Sequence, residues 1–350
     1  MTASKHNLMP MSTNLFDYPL PLDRIAQFSV EPRDHSKLMV LDRQTGILCH
    51  KQFFEIISFL RAGDVLVFNN TKVFRARLRG NGFEVFLLRA FEVSQWEVMV
   101  RPGRKIKIGQ EVDLGGLRGV VTEKRNDGIV LIEFDCLHDE VIAFANLHGE
   151  IPIPPYVKKQ PSELSQYQTV YAKETGSVAA PTAGFHFTER LIKELKEKGI
   201  QFEFVTLHVG IGTFRPMKTE TIEEHEMHSE FVSVSSDVAM RINQAKHEGR
   251  RVIAVGTTTV RTLEGIAKCG HSEQSEESLC AFTGDINLFI KPGFKFKIID
   301  GLITNFHLPK STLLVLVSAF AGRENTLAAY ESAIKNDYRF FSFGDAMFIY

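Results

Sequence analysis

Five histidines, His186, His208, His225, His228 and His307, crowd the second half of the chain, and the stretches of the first two do not read as core or as an ordinary turn. Histidine titrates near neutrality, with an unperturbed pKa of about 6.5, so a set of this kind can move protons without a metal. His186 stands in GSVAAPTAGFHF, Gly176 to Phe187, where small residues, one proline and two glycines let backbone approach a ligand closely. The stretch suits a pocket wall, and a tight buried crossing with a satisfied core histidine would use the same residues. His208 follows in TLHVGIGTF, and His307 follows Asn305 at the end of a short apolar run in GLITNFHLPKSTLL.

His225 and His228 sit three apart in EEHEMHSE with carboxylates around them, which invites a metal reading. The spacing is not the i, i+4 pair of HExxH, and the sequence places no third ligand, so no metal is expected. A different chemistry is written into RRVIAVGTTTVRTLE. Thr257, Thr258 and Thr259 stand at a strand-to-helix turn, where free backbone N–H groups and the helix dipole favour a carboxylate or phosphate, and Arg261 and Glu264 follow about a turn on. Threonines at helix starts are also ordinary caps.

These groups need a scaffold, and 350 residues supply one: such a chain buries roughly three-quarters of its unfolded surface and suits one large or two moderate domains. The composition, 44% hydrophobic and 24% charged, is that of a globular protein. A net charge of −1 means that any nucleic acid must be held by a local basic face. Cys49, Cys136, Cys269 and Cys280 form no CxxC and read as reduced structural thiols. No apolar run reaches the roughly 18 residues of a membrane span, and no signal-peptide core opens the chain, so the reading is cytoplasmic with no membrane partner.

A strand is expected at Leu38 to Leu41, an amphipathic helix at Gln52 to Leu60, and a buried strand at Asp64 to Asn70 that ends in two amides. From Thr71 to about Gly149 six short β-branched and aromatic runs at about ten-residue spacing read as a small antiparallel barrel or sandwich, followed by a helix near Asp139 to Leu147. Between Lys72 and Lys107 nine basic residues face three acidic ones, either a footprint for phosphates or a solvated basic face. The proline-stiffened GEIPIPPYV, Gly149 to Val157, then suits a return from an inserted domain. The rest alternates helix and strand, which favours a sheet flanked by helices, with HSEQSEES as a surface loop. The fold class is therefore α/β (mixed α and β), with a larger α/β domain from residues 1–72 and 150–350 and a small antiparallel β-barrel, residues 73–149, inserted in it.

NNTKVFRARL, IPIPPY, YQTVYA, SVAAPTAGFHF, TLHVGIGTFRP, EHEMHSE, AVGTTTVRTLE, TNFHLPKSTLL, VSAFAG and YRFFSFGDAMFI, in this order, resemble the S-adenosylmethionine:tRNA ribosyltransferase-isomerase family of queuosine biosynthesis. The resemblance runs from about Asn14 to the end and implies a larger α/β domain carrying an inserted β-barrel. It implies transfer and isomerisation of the ribosyl part of S-adenosylmethionine onto 7-aminomethyl-7-deazaguanine at the tRNA wobble position, giving epoxyqueuosine-tRNA, adenine and methionine. On this reading His186 and His208 are the acid/base groups, with His225, His228 and His307 as second candidates. His186 would face the sulfonium and ribose with the Gly184 backbone close by. Thr257, Thr258, Thr259 and Arg261 would hold the methionine carboxylate or a ribose hydroxyl. The basic stretch, with Lys72, Arg75, Arg77, Arg101 and Arg104, would hold tRNA phosphates, and Asn69 and Asn70 would lie nearer the base. The chain is expected to act as a monomer.

Three features depart from the family pattern. Met1 to Pro10 precede the usual start, with Met11 an alternative first residue; RLRGNGFEVFLL is shorter than the usual hairpin; and HSEQSEES is an insertion. Two other classes remain open at this point, a metal-dependent hydrolase using the paired histidines and a non-catalytic tRNA binder.

Overall fold

The computed structural model describes residues 10–80, 82–210, 217–227, 229–269 and 278–350, the side chain of Cys269 excepted. His228, the start of HSEQSEES, the end of TLHVGIGTF and the first nine residues lie outside the described residues.

In chain order the strands are β1 (Lys37–Leu41), β2 (Leu48–Gln52), β3 (Val65–Asn69), β4 (Thr71–Val73), β5 (Arg77–Gly80), β6 (Phe83–Ala90), β7 (Gln95–Arg101), β8 (Glu111–Asp113), β9 (Arg118–Lys124), β10 (Val130–Phe134), β11 (Glu174–Ser177), β12 (Gln201–His208), β13 (Glu230–Val234), β14 (Val252–Val255), β15 (Phe282–Ile286), β16 (Gly301–Asn305) and β17 (Ala346–Ile349). The helices are α1 (His138–His148), α2 (Glu189–Glu197), α3 (Ser236–His247), α4 (Thr257–Cys269), α5 (Thr312–Ala321) and α6 (Arg323–Lys335). The segment expected as a helix at Gln52 to Leu60 is instead a 3-10 turn, Phe53–Ser58, closed early by Phe59.

Nine strands form the main mixed sheet in the order β15-β13-β12-β3-β14-β16-β17-β1-β2. Its centre is parallel: β3 runs with both β12 and β14, and β14 runs with β16. Successive side chains of a strand point to opposite faces, and β3 uses both for burial. Val65 and Val67 join the larger core under α3 to α6, while Leu66 and Phe68 join the opposite core with Leu191 and Leu195 of α2. A strand buried on both sides reads as the continuous apolar run that the sequence has here.

Six strands form a second, antiparallel sheet in the order β5-β6-β7-β10-β9-β8, with its own apolar core that includes Trp96, Ile132 and Val141 of α1. The sheet curls far enough that a Cβ on Gly80 of β5 would stand 2.5 Å from the Asp113 carbonyl of β8, yet these edge strands do not pair, and the result is an open half-barrel. β4 and β11 form a short parallel pair beside it. Because β3, β12, β14 and β16 point the same way, their carboxyl ends bring Asn69, His208, Gly256 and Asn305 to one edge of the main sheet. Ligands of open α/β sheets bind at such an edge.

Candidate active site

Two cavities open along this edge. The first lies between the 3-10 turn Thr182–His186, the start of α4 and the end of β16. Gly256, at φ +92°, turns the chain from β14 into α4 in a conformation that a side chain would strain. Thr257 and Thr258 then line the cavity with the unbonded N–H groups of the first helical turn. Thr259 faces away, its hydroxyl donating to the Val255 carbonyl at 2.8 Å, so it caps the strand-to-helix turn rather than meeting a ligand.

His307 lines the same cavity. Its Nε2 stands 2.9 Å from Thr304 Oγ1, its main-chain N–H donates to the Tyr330 hydroxyl, and its carbonyl accepts from Tyr18. Burial lowers its pKa to about 3, so the ring is neutral at physiological pH.

His186 takes a place other than the expected one. It is buried in the wall behind Asn305 and packed on Phe53, with Nδ1 2.7 Å from Ser36 Oγ and Nε2 3.3 Å from Asn305 Nδ2. Desolvation, reinforced by the charges of Arg339 and Arg33, lowers its pKa to about 3. Both ring nitrogens are therefore engaged inside the protein, and the group supports the site without reaching the first cavity. Gly184 is corrected in the same way: its bare Cα is required by the Tyr171 hydroxyl packed against it. Phe187 anchors the turn edge-on to Phe53 and Phe68, contacts worth about 0.5–1.5 kcal/mol each beyond the area buried.

The second cavity, about 530 Å³, lies between the main sheet and the half-barrel. His208 and Gly176, from the main body, face Trp96, Arg125 and His138 of the half-barrel side. His208 stacks on Phe231 with the rings 12° from parallel, and its Nδ1 stands 2.8 Å from Thr71 Oγ1. The Thr71 hydroxyl, which also stands 3.5 Å from the Glu174 carbonyl, thus engages Nδ1, and Nε2 is the ring nitrogen left without a hydrogen bond among the described residues. Gly176 sits against that nitrogen, and a Cβ there would approach it to 2.7 Å. Burial lowers the His208 pKa to about 4, with the Glu174 charge opposing the shift. His225 borders this cavity too, edge-on to Phe289.

Arg261 does not share the threonine cavity. It is 3% exposed, paired with the carboxylate of Glu230 and donating from Nε to the Leu288 carbonyl at 3.2 Å. Glu264 is likewise structural, its oxygens accepting from the backbone N–H groups of Lys297, Ile298 and Ile299.

Asn69 is fully buried: its amide donates to the Leu207 carbonyl and accepts from the N–H groups of Leu207 and Thr71, which leaves nothing for RNA. Asn70 accepts from the Thr206 hydroxyl. Arg75 donates to the Gly149 carbonyl, and Arg77 lies 3.9 Å from Glu84 and over the Phe86 ring. Lys72, Arg101, Arg104, Lys105 and Lys107 are exposed and have no ion-pair partner among the described residues. Arg77 and Arg101 flank a further groove with Pro152 to Pro155, which meets the second cavity at Met99 and Gly210.

Sequence reasoning assigned no role to Glu230, Asn305, Ser36 or Gly176 individually. Asn305 carried a signal as a polar residue ending an apolar strand, and Gly176 as a glycine in a stretch suited to close approach; the partners that define Glu230, Ser36 and Gly176 lie 30 or more residues away. Among the described residues no group of three or more His, Cys, Asp or Glu is placed to hold a metal, and no helix is long and apolar enough to cross a membrane.

A family model described as "Queuosine biosynthesis protein" matches residues 13–349. A crystal structure of an S-adenosylmethionine tRNA ribosyltransferase from Thermotoga maritima is similar to the chain at 40% identity and a TM-score of 0.56, over 96% of this chain and 100% of the other.

Proposed function

Because the chain belongs to the queuosine biosynthesis protein family, we propose that it is an S-adenosylmethionine-dependent tRNA ribosyltransferase that also isomerises the group it transfers. The acceptor is the amine of 7-aminomethyl-7-deazaguanine at the wobble position of tRNA, and the products are epoxyqueuosine-tRNA, adenine and methionine. The half-barrel, residues 73–149, serves as an inserted RNA-facing domain of a protein that acts as a monomer.

The observation that carries this reading is the position of His208. Its ring lies where the half-barrel meets the main sheet, with Nδ1 held by Thr71, and the next residue, Val209, borders both cavities. A small donor in the first cavity and a tRNA base entering over the half-barrel would meet there. A sulfonium withdraws electrons from its C5′ carbon, so a neutral imidazole can take a C5′ proton. Loss of that proton breaks C4′–O4′ and opens the ring; O4′ becomes a C1′ carbonyl as the C1′–N bond breaks and adenine leaves with a proton. The tRNA amine bonds to C4′ and gives up a proton, the C5′ carbanion so formed joins C1′ to close a carbocycle, and the alkoxide left on C1′ displaces methionine from C5′, which forms the epoxide as the C–S electron pair returns to sulfur. The balance needs no oxidant or reductant. His307 and His225 remain the further proton-transfer candidates, with Thr257 and Thr258 on the donor side.

The unpaired cations Lys72, Arg101 and Arg104, with Arg75 and Arg77 beside them, are assigned to tRNA phosphates. Affinity for tRNA should then fall steeply with salt, and the R101A/R104A double variant should lower the log–log salt slope by about two. A slope unchanged from the native protein would remove these arginines from the interface. The reading as a whole is tested by adenine release on mixing the protein with S-adenosylmethionine and precursor tRNA.

A further inference from the structure

Asn305 is 3% exposed and lines the first cavity, yet its Oδ1 is buried and has no hydrogen-bond partner among the described residues. A buried acceptor left unmade costs about 1–3 kcal/mol, so a fold keeps one where something else completes it. The orientation of the amide follows from its neighbours. One side faces the carbonyl of Phe341 at 3.1 Å, and a carbonyl can only accept, so the atom there is the amide nitrogen. The second hydrogen of that nitrogen points to His186 Nε2 at 3.3 Å. His186 can accept at Nε2 because its Nδ1 proton is directed to Ser36 Oγ. Ser36, His186 and Phe341 thus hold the amide in one orientation and leave its oxygen as the unmade acceptor of a cavity-lining residue.

Phe341 adds a second sign that this arrangement is held against resistance. Its φ is +71°, a conformation that bulky side chains rarely adopt and that costs on the order of 1–3 kcal/mol. In that conformation its carbonyl meets Asn305 while its ring packs 4.8 Å from Tyr156, another wall residue.

We propose that the first cavity is the adenine subsite for the ribosyl donor, in which Asn305 Oδ1 accepts a hydrogen bond from the exocyclic amine and His186 is a positioning residue that fixes the amide. The inference rests on the donor being S-adenosylmethionine, as in the reaction proposed above. An unmade acceptor calls for a ligand that donates, and the Tyr156, Phe306 and Phe341 residues with Ala180 and Ala183 line the same cavity as an apolar wall suited to a flat ring. No half-barrel residue lines this cavity, whereas the basic strip and the second cavity both involve the half-barrel. The tRNA base therefore belongs to the second cavity and the small donor to the first. Thr257 and Thr258, on the same wall, are placed for the ribose hydroxyls.

The test is calorimetric binding of S-adenosylhomocysteine and of its deaminated analogue, S-inosylhomocysteine, in which a carbonyl replaces the amine and would meet Oδ1 as acceptor against acceptor. The native protein should prefer the adenine compound at least about tenfold, and Asn305→Ala should bring the ratio near one. His186→Phe, which frees the amide to rotate, should shrink the ratio while the protein still binds the adenine compound. A merely structural histidine would leave the ratio unchanged, which would remove its positioning role. Equal binding of the two compounds by the native protein overturns the subsite without recourse to any variant. An undiminished ratio in folded Asn305→Ala does the same. If the native protein binds the adenine compound without discrimination and still releases adenine with tRNA, the subsite fails and the reaction stands. If it binds neither compound nor S-adenosylmethionine, both fail together.

Discussion

Replacing His208 with alanine is expected to lower turnover on tRNA at least about a hundredfold, the size typical of a lost general acid or base, while S-adenosylmethionine affinity changes little. The expectation follows from geometry. His208 lines the cavity between the sheets, with Nδ1 committed to Thr71 and Nε2 as the ring nitrogen left for a substrate. The pH dependence should carry the same signature. His208 acts unprotonated, and burial holds its pKa at about 4, so the free enzyme keeps the active form down to well below pH 6. The acid limb of kcat/KM due to this group should lie near pH 4 to 5 rather than at the 6.5 of an ordinary histidine, and it should vanish in the residual activity of the variant. Near-native turnover by a folded His208→Ala protein would move the proton transfer elsewhere, with His307 and His225 next.

Replacing Arg261 with alanine should act on stability first, by about 3–5 kcal/mol, because it takes the guanidinium away from a carboxylate that is 4% exposed. This reverses the role read from the sequence, where the arginine one turn after three threonines looked like a hand for the carboxylate of the donor. Denaturant unfolding checks it: the midpoint should drop sharply for Arg261→Ala, and an R261M/E230M double variant should recover much of the loss, since burying two apolar side chains avoids desolvating an ion pair. A variant of native stability with weakened donor binding alone would restore the earlier role.

These two residues mark how far the sequence could be read. Local pattern carried several elements well: the strands expected at Leu38 to Leu41 and Asp64 to Asn70 are β1 and β3, and the helix expected near Asp139 to Leu147 is α1. The six runs that became β5 to β10 were legible because alternation is a local property, although whether their sheet closes is not. What each polar group does was less legible, since a role is set by partners far along the chain. Arg261 is defined by Glu230, thirty-one residues earlier, and His186 by Ser36 and Asn305, each more than a hundred residues away. Asn69 looked like a base reader because it ends a strand, and the register of β12 against β3 turned its amide to Leu207 instead. Residue type named five candidate histidines alike; burial and hydrogen bonding separate those among the described residues, leaving His208 on the cleft and His186 turned inward.

The central claim, that this edge of the main sheet transfers a ribosyl group from S-adenosylmethionine to tRNA, is met most directly by measuring free adenine after the protein is mixed with S-adenosylmethionine and tRNA bearing the aminomethyl-deazaguanine base. The account predicts adenine in a one-to-one ratio with modified tRNA, formed only when both substrates are present and undiminished by a chelator. Tight tRNA binding with no adenine released would make the protein a binder, and chelator-sensitive hydrolysis in its place would make it a metal enzyme; either result would contradict the account.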